Sequence, residues 1–329
     1  MLTNLTNEEK RVTTYIEMDS MPTISSEVTK DTPIDELNLN WREKDLPERE
    51  RTKHVHRLHP YLGKFIPQLA EIFLRKYFDP GQTVLDPFCG SGTTLVQANE
   101  LGINSIGYDI SAFNVLLSKV KTENYNLVKV KAEILDILQK VKNVTEENNG
   151  QLDFGYADKI KIADSNNEYL KTWFHQRALS ELLAYRYFIE NENYKYKNLL
   201  KIILSRSARS ARLTTHFDLD FPKKPQTEPY HCYKHSRICR PTTEAIKFLN
   251  RYSLDTIRRV ETFSKLRTTA SVKVINKDSK KTSFPAIDGV ITSPPYVGLI
   301  DYHDQHAYAY HLLELKNQSY DEIGPATNG

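Results

Sequence analysis

Two short segments hold residues whose types and spacing could do chemistry. The first is Asp86-Pro87-Phe88-Cys89-Gly90-Ser91-Gly92-Thr93. Its two glycines, one residue apart, leave room for a ligand to approach the backbone where a Cβ would obstruct it. Asp109 closes the next β-favouring run and is placed to accept hydrogen bonds from the hydroxyls of a ribose, as an acidic residue does in nucleotide-binding α/β folds. Together these residues predict an adenosine-containing cofactor; the plainer reading is a tight βα turn with Asp109 capping a helix. A nicotinamide site would want G-x-G-x-x-G, but Thr93, Thr94 and Leu95 follow Gly92, so the third glycine is missing.

The second segment is Thr292-Ser293-Pro294-Pro295-Tyr296. Consecutive prolines fix the backbone so that nearby carbonyls point outward without a competing ladder bond. The exocyclic amino group of cytosine or adenine is a poor nucleophile, because its lone pair is delocalised into the ring. Two acceptors, the Ser293 hydroxyl and the Pro294 carbonyl, could bind the amino hydrogens and favour a pyramidal nitrogen facing a methyl donor. Tyr296 would stack on the base, which must first leave the duplex. A proline-stiffened turn with Tyr296 in the core is the alternative.

Both segments need elements to hold them. A helix over about 68–78 ends at Asp79-Pro80-Gly81, and Thr83-Val84-Leu85-Asp86 reads as a strand. The glycine-rich turn leads into a helix ending near Leu101, a strand over Ser105–Tyr108 and a helix over about Ser111–Val120, a βαβ unit. From Leu127 to Leu266 the pattern is mainly helical. In its middle, the stretch from Phe221 to Cys239 is too rich in Pro and charge for a regular element. Strand patterning returns at Ser271–Ile275 and Gly289–Thr292, and Asp301–Leu315 reads as a helix. The fold class is therefore α/β, a partial Rossmann-like sheet with a large helical insertion. It divides into a loosely ordered arm (1–40), a cofactor-binding part (41–122), a basic helical insertion (123–267) and a catalytic-loop part (268–329).

Composition fits a globular chain: 329 residues with 39% hydrophobic content. No apolar run suits a membrane span and no signal peptide opens the chain, so a cytoplasmic protein is expected. Three cysteines cannot build a disulfide framework. The net charge of +3 is unevenly spread: Lys195–Arg267 holds roughly eleven more Lys and Arg than Asp and Glu, interleaved with tyrosines. That pattern suits DNA phosphates or, equally, a solvated helical face. Within it, Arg206, Arg209 and Arg212 recur at helical spacing and could contact phosphates or serve solubility.

Taken together, the two motifs resemble those of the amino-methyltransferases of restriction-modification systems, the N4-cytosine and N6-adenine DNA methylases. The loop from Asp86 to Thr93, with Phe88, Gly90 and Gly92 inside it, is similar to the family's cofactor loop, and Thr292–Tyr296 to its catalytic loop, with Ser293, Pro294, Pro295 and Tyr296 as catalytic residues. His59–Pro67, with Lys64 and Phe65, is similar to the segment closing over the methionine end of the cofactor. The resemblance implies S-adenosylmethionine as cofactor, with Asp86, Gly90 and Thr93 around its methionine, Asp109 on the ribose and Asp278 on the adenine amino group. It implies DNA as substrate and, since Ser is more usual than Asp at the first catalytic-loop position of N4-cytosine enzymes, cytosine as target.

Two departures from the family pattern stand out. The helical insertion separates the second and third strands, and four strands can be placed where the family has seven. A reading frame truncated after the catalytic loop, or a second polypeptide supplying the rest of the sheet, is expected; a chain that binds cofactor or DNA without transferring methyl alone is a further reading. An RNA guanine-N2 methyltransferase is the runner-up activity. His231, Cys232, His235 and Cys239 could supply four zinc ligands, but their spacing matches no common finger; a basic loop or plain surface is preferred, and no metal is assigned. His303 and His306 lie just past the catalytic loop, where packing or surface roles compete with positioning a base.

Overall fold

The strand runs sit where β-branched and aliphatic residues alternate with turn signals, and the sheet forms around them. The computed structural model describes residues 21–146, 167–220, 222–295 and 301–321. Helix α1 (Pro67–Tyr77) precedes β1 (Thr83–Asp86); α2 (Thr93–Glu100) crosses to β2 (Asn104–Asp109), and α3 (Ala112–Thr122) follows. Pro67 occupies the first turn of α1, where its missing N–H costs nothing. Ser111 caps α3 by accepting from Asn114 N. The four-stranded sheet is all parallel with order β5-β2-β1-β6, where β5 is Val272–Asn276 and β6 is Gly289–Val290.

Successive residues of β1 face opposite sides of the sheet. Val84 packs with Leu74, Phe78, Ala98 and Ile103 under α1 and α2. Leu85 packs on the other face with its register partner Ile106 and with Tyr108. The insertion contributes α4 (Leu127–Glu146), α5 (Glu168–Trp173), α6 (Gln176–Asn191), α7 (Lys197–Ala211) and α8 (Ile246–Ser264); α9 (Tyr302–Gln305) and α10 (Ala307–Leu313) come after the sheet. It is not a separate body. One apolar cluster runs from Val55 and Leu58 through Phe113 and Leu117 to Leu182, Leu200 and Tyr308.

Three sequence expectations change. The charged stretch expected to be irregular carries a two-stranded antiparallel hairpin, β3 (Tyr230–Cys232) and β4 (Arg237–Cys239). Its buried face is supplied by two cysteines rather than by an alternating apolar run, so hydrophobic periodicity does not reveal it. Residues 21–40, expected as loose arm, lie against α1: Val28 is buried, Ser25 bonds Glu71, and Trp41 Nε1 donates to Thr23 O. The helix expected over 301–315 is two pieces meeting at His306. Residues 1–20 lie outside the described residues.

A candidate active-site cleft at the carboxyl ends of the strands

The first loop is held from below. After Asp86 the chain folds back over β2, Cys89 N donating to Tyr108 O at 2.9 Å, and passes through left-handed Gly90 (φ 49°) and Gly92 (φ 78°) into α2. Ser118 Oγ donates to Gly90 O and the buried Lys121 Nζ to Ser91 O, at 2.8 and 2.7 Å, so α3 clamps the turn's carbonyls. Asp109 takes three donors: Gly90 N on Oδ2 (2.8 Å), and Ser111 N (2.8 Å) and Asn114 Nδ2 (3.2 Å) on Oδ1. A carboxylate offers about four acceptor sites, which leaves one on Oδ2. Burial outweighs those donors and raises the Asp109 carboxyl to about 6.

The second loop is tied to the first. β6 lies parallel to β1, Ile291 N donates to Leu85 O at 3.1 Å, and Thr292 Oγ1 donates to Asp86 Oδ1 at 2.7 Å. Asp86 Oδ1 also accepts from Phe88 N at 3.2 Å, so one carboxylate fixes both turns. Burial lifts this carboxyl to about 6 as well. Because β2 and β6 flank β1 on opposite sides, the connections leave in opposite directions. Such a switch point opens a crevice outside the carboxyl ends of the strands.

A cleft of about 920 Å³, including its open mouth, occupies that position. Of the residues singled out in the sequence, Lys64, Phe65, Phe88, Gly90, Thr93, Asp109, Asp278, Ser293 and Pro295 line it. Asp86 and Gly92 sit behind the wall, the first as the latch to Thr292 and the second against Ser118. Pro294 is exposed, and Tyr296 lies outside the described residues. Tyr61, Asn114, Lys277, Ser279 and Asp321 also line the cleft and were not singled out as site residues. Asn114 could have been found, five residues past Asp109 on the first turn of the next helix; Asp321 gives no local signal.

Four buried polar atoms of the lining residues have no hydrogen-bond partner: Ser91 Oγ, Thr93 Oγ1, Asn114 Oδ1 and Asp278 Oδ2. The nearest Lys281 and Lys280 ammonium groups stand 3.6 and 3.9 Å from Asp278 Oδ2, beyond hydrogen-bond reach. Buried polar groups are ordinarily satisfied, so these atoms are places where a bound water or a polar ligand would supply a partner. Lys64 donates to His56 O at 3.1 Å, and burial lowers its ammonium to about 8.

Residues 5–120 match the DNA methylase family. Over a 355-residue alignment the chain is 40% identical to the type II methyltransferase M.MjaII of Methanocaldococcus jannaschii, covering 86% of this chain and 67% of that protein. The chain belongs to the DNA methylase family. Members of this family use S-adenosylmethionine as methyl donor. This methylase is also 24% identical over 310 residues to the type II methyltransferase M.BsoBI of Geobacillus stearothermophilus, covering 85% of the chain and 56% of the relative. It is 30% identical over 188 residues to a tRNA (guanine(10)-N2)-dimethyltransferase of M. jannaschii, covering 45% of the chain and 53% of the relative. It therefore spans between about half and two thirds of the length of these relatives. No solved structure matches it.

The chain turns its arginine triplet inward, where it neither meets phosphates nor serves as a solvated surface. Arg206 pairs with Asp255 at 2.6 Å over the Tyr252 ring, Arg209 pairs with Asp220, and the buried Arg212 donates to Leu219 O beneath Tyr308. Helical spacing puts the three near one face, and that face packs on α8 and on the loop after α7. His306 is buried between Tyr61 and Phe113, and His303 against Tyr310, so both pack behind the cleft wall. No helix among the described residues of the methylase is long and apolar enough to cross a membrane.

Proposed function

We propose that the chain transfers a methyl group from S-adenosylmethionine to the exocyclic amino group of a flipped DNA base, cytosine N4 in preference to adenine N6, within a restriction-modification system. The observation that carries this reading is the Thr292–Asp86 hydrogen bond, which couples the Ser293-Pro294-Pro295 loop to the glycine-rich turn beside one cleft. Bound in that cleft, the cofactor would supply an electrophilic methyl on a sulfonium. Asp278 Oδ2, which accepts no hydrogen bond, suits the adenine amino group, the remaining acceptor site of Asp109 a ribose hydroxyl, and Thr93, Lys64 and Phe65 the methionine end. Gly90 and Gly92 keep the backbone close, and Phe88 and Asp86 shape the turn.

The Ser293 hydroxyl and the Pro294 carbonyl accept the two amino hydrogens, turning the nitrogen lone pair out of conjugation, while Pro295 stiffens the loop and Tyr296 stacks on the base. Ser at position 293 supports cytosine. Exposed Lys223, Lys224, Lys234, Arg237 and Arg240 suit DNA phosphates. The outer edge of β6 pairs with nothing among the described residues and Val290 is 53% exposed there. Further sheet, from more chain or from a second polypeptide, would find its pairing groups ready.

The test is incubation with labelled S-adenosylmethionine and mixed genomic DNA, followed by mass spectrometry of the nucleosides, with and without the product of a neighbouring reading frame. N4-methylcytosine is expected, and Ser293→Ala lowers the single-turnover rate about tenfold, the worth of one hydrogen bond made to the reacting group. Unlabelled DNA under all conditions, or an unchanged rate in the variant, rejects the assignment. A second reading, transfer to guanine N2 of tRNA, is favoured by the dimethyltransferase likeness; competition between tRNA and duplex DNA separates the two.

A carboxylate held by Lys64 gives a pH signature. With the free ammonium lowered to about 8, the affinity for S-adenosylhomocysteine falls about tenfold per pH unit above that value, as the cation that binds is lost. Lys64→Met removes that part of the dependence, whereas the ligand's own amino group contributes equally to both proteins. Parallel affinity profiles of parent and variant would place the carboxylate elsewhere.

A further inference from the structure

The β3–β4 hairpin carries three side chains that the reaction does not use, and a fourth joins them from outside it. Cys232 and Cys239 face one side of it and are buried, His235 lies in its turn, and His216 arrives from the loop after α7. The four ligand atoms all lie within 4.8 Å of one another. Cys232 Sγ is 3.6 Å from His216 Nδ1 and 3.6 Å from His235 Nδ1, and Cys239 Sγ is 3.5 Å from His235 Nδ1. The two imidazoles meet edge to face with centroids 4.5 Å apart. Both cysteines are free thiols, so no disulfide explains their approach. None of the four lines the cleft.

We propose that His216, Cys232, His235 and Cys239 form a structural zinc site. A tetrahedral ion with Zn–S of about 2.3 Å and Zn–N of about 2.05 Å sets its sulfur and nitrogen ligands about 3.5–3.6 Å apart, and the three sulfur–nitrogen distances here match that edge. Hydrogen bonds alone account for the cluster poorly. His235 Nδ1 has a single lone pair yet faces two sulfurs, and Cys232 Sγ faces two ring nitrogens; one central cation satisfies all of them together. Four protein ligands close the coordination sphere, which makes the site structural, with no open position for a reacting water.

Tyr230 Oη accepts from His216 N at 3.1 Å and lies 2.9 Å from His216 Nδ1, whose single lone pair it must leave when that nitrogen binds metal. His231 is excluded, because strand alternation sends it to the opposite, exposed face, where its ring meets Tyr233. The ion would join the loop after α7 to a hairpin that has little apolar core of its own, and would hold Ser236 in its left-handed turn conformation (φ 48°). It also positions the exposed Lys234 and Arg237.

The full chain, purified without chelator, should contain about one zinc per chain by elemental mass spectrometry. After removal of zinc, Co²⁺ should give the visible bands of a tetrahedral ion and a near-ultraviolet thiolate-to-cobalt band. His216→Ala and Cys232→Ser each lose the tight zinc and weaken the cobalt bands, and His231→Ala keeps both. Chelation of zinc lowers the melting temperature of the parent and leaves that of Cys232→Ser unmoved. A parent that neither retains zinc nor gives the tetrahedral cobalt spectrum overturns the site. So does retention of both in Cys232→Ser or His216→Ala. Because the cobalt spectrum is read on the unaltered chain, poor folding of a variant leaves the proposal decidable.

Discussion

Asp109→Ala is expected to weaken binding of S-adenosylhomocysteine at least a hundredfold and to take methyl transfer with it. Two losses combine. The variant removes the acceptor proposed for the ribose, a charge-assisted hydrogen bond worth roughly 1.5–3 kcal/mol. It also frees Gly90 N, Ser111 N and Asn114 Nδ2, the donors whose convergence on one carboxylate shapes the turn. Asp109→Asn should be nearly as damaging. Whichever way its amide is turned, an NH₂ group must face a backbone N–H, that of Gly90 on one side or of Ser111 on the other. Because burial raises the carboxyl to about 6, the ionised acceptor is lost as the pH falls below that value, and affinity should decline with it. Calorimetric titration checks both variants; an affinity within threefold of the parent would remove Asp109 from the cofactor site.

Gly92→Ala should destabilise the chain by about 2–4 kcal/mol, combining left-handed strain with overpacking, and lower cofactor affinity at least tenfold. Its φ of 78° is strained for any side chain, and a Cβ there would lie 2.8 Å from Ser118 Oγ and 3.2 Å from Ser118 Cα. A rotamer change could move the oxygen, but only displacement of α3 relieves the backbone contact. Such a displacement breaks the Ser118–Gly90 hydrogen bond that clamps the cofactor loop. Gly81→Ala is the control: its φ of 91° carries similar strain, but nothing lies within 4 Å of the added atom. Thermal unfolding of the two variants separates strain from collision, and equal losses would show that the crowding at Ser118 relaxes freely.

The sequence by itself determined the parts whose causes are local. A β-branched run ending at Asp86, glycines where the chain must turn left-handed, and a Pro294-Pro295 turn shortly after a brief apolar run are each set by a few adjacent residues, and their pairing carried the family resemblance. The α/β class and the two motifs that meet at the cleft follow from that short-range grammar. Tertiary structure alone decided what depends on partners far along the chain. Thr292 finds Asp86 across 206 positions, and nothing near either residue announces the bond. The arginines of α7 have the spacing of a phosphate-facing row, yet Arg206 meets Asp255, 49 residues away, because that face is covered by another helix. His216 replaces His231 beside the two cysteines because strand alternation turns adjacent side chains apart while the loop after α7 folds back over the hairpin. Spacing in the chain fixes which side chains share a face; only packing of the elements decides what that face meets.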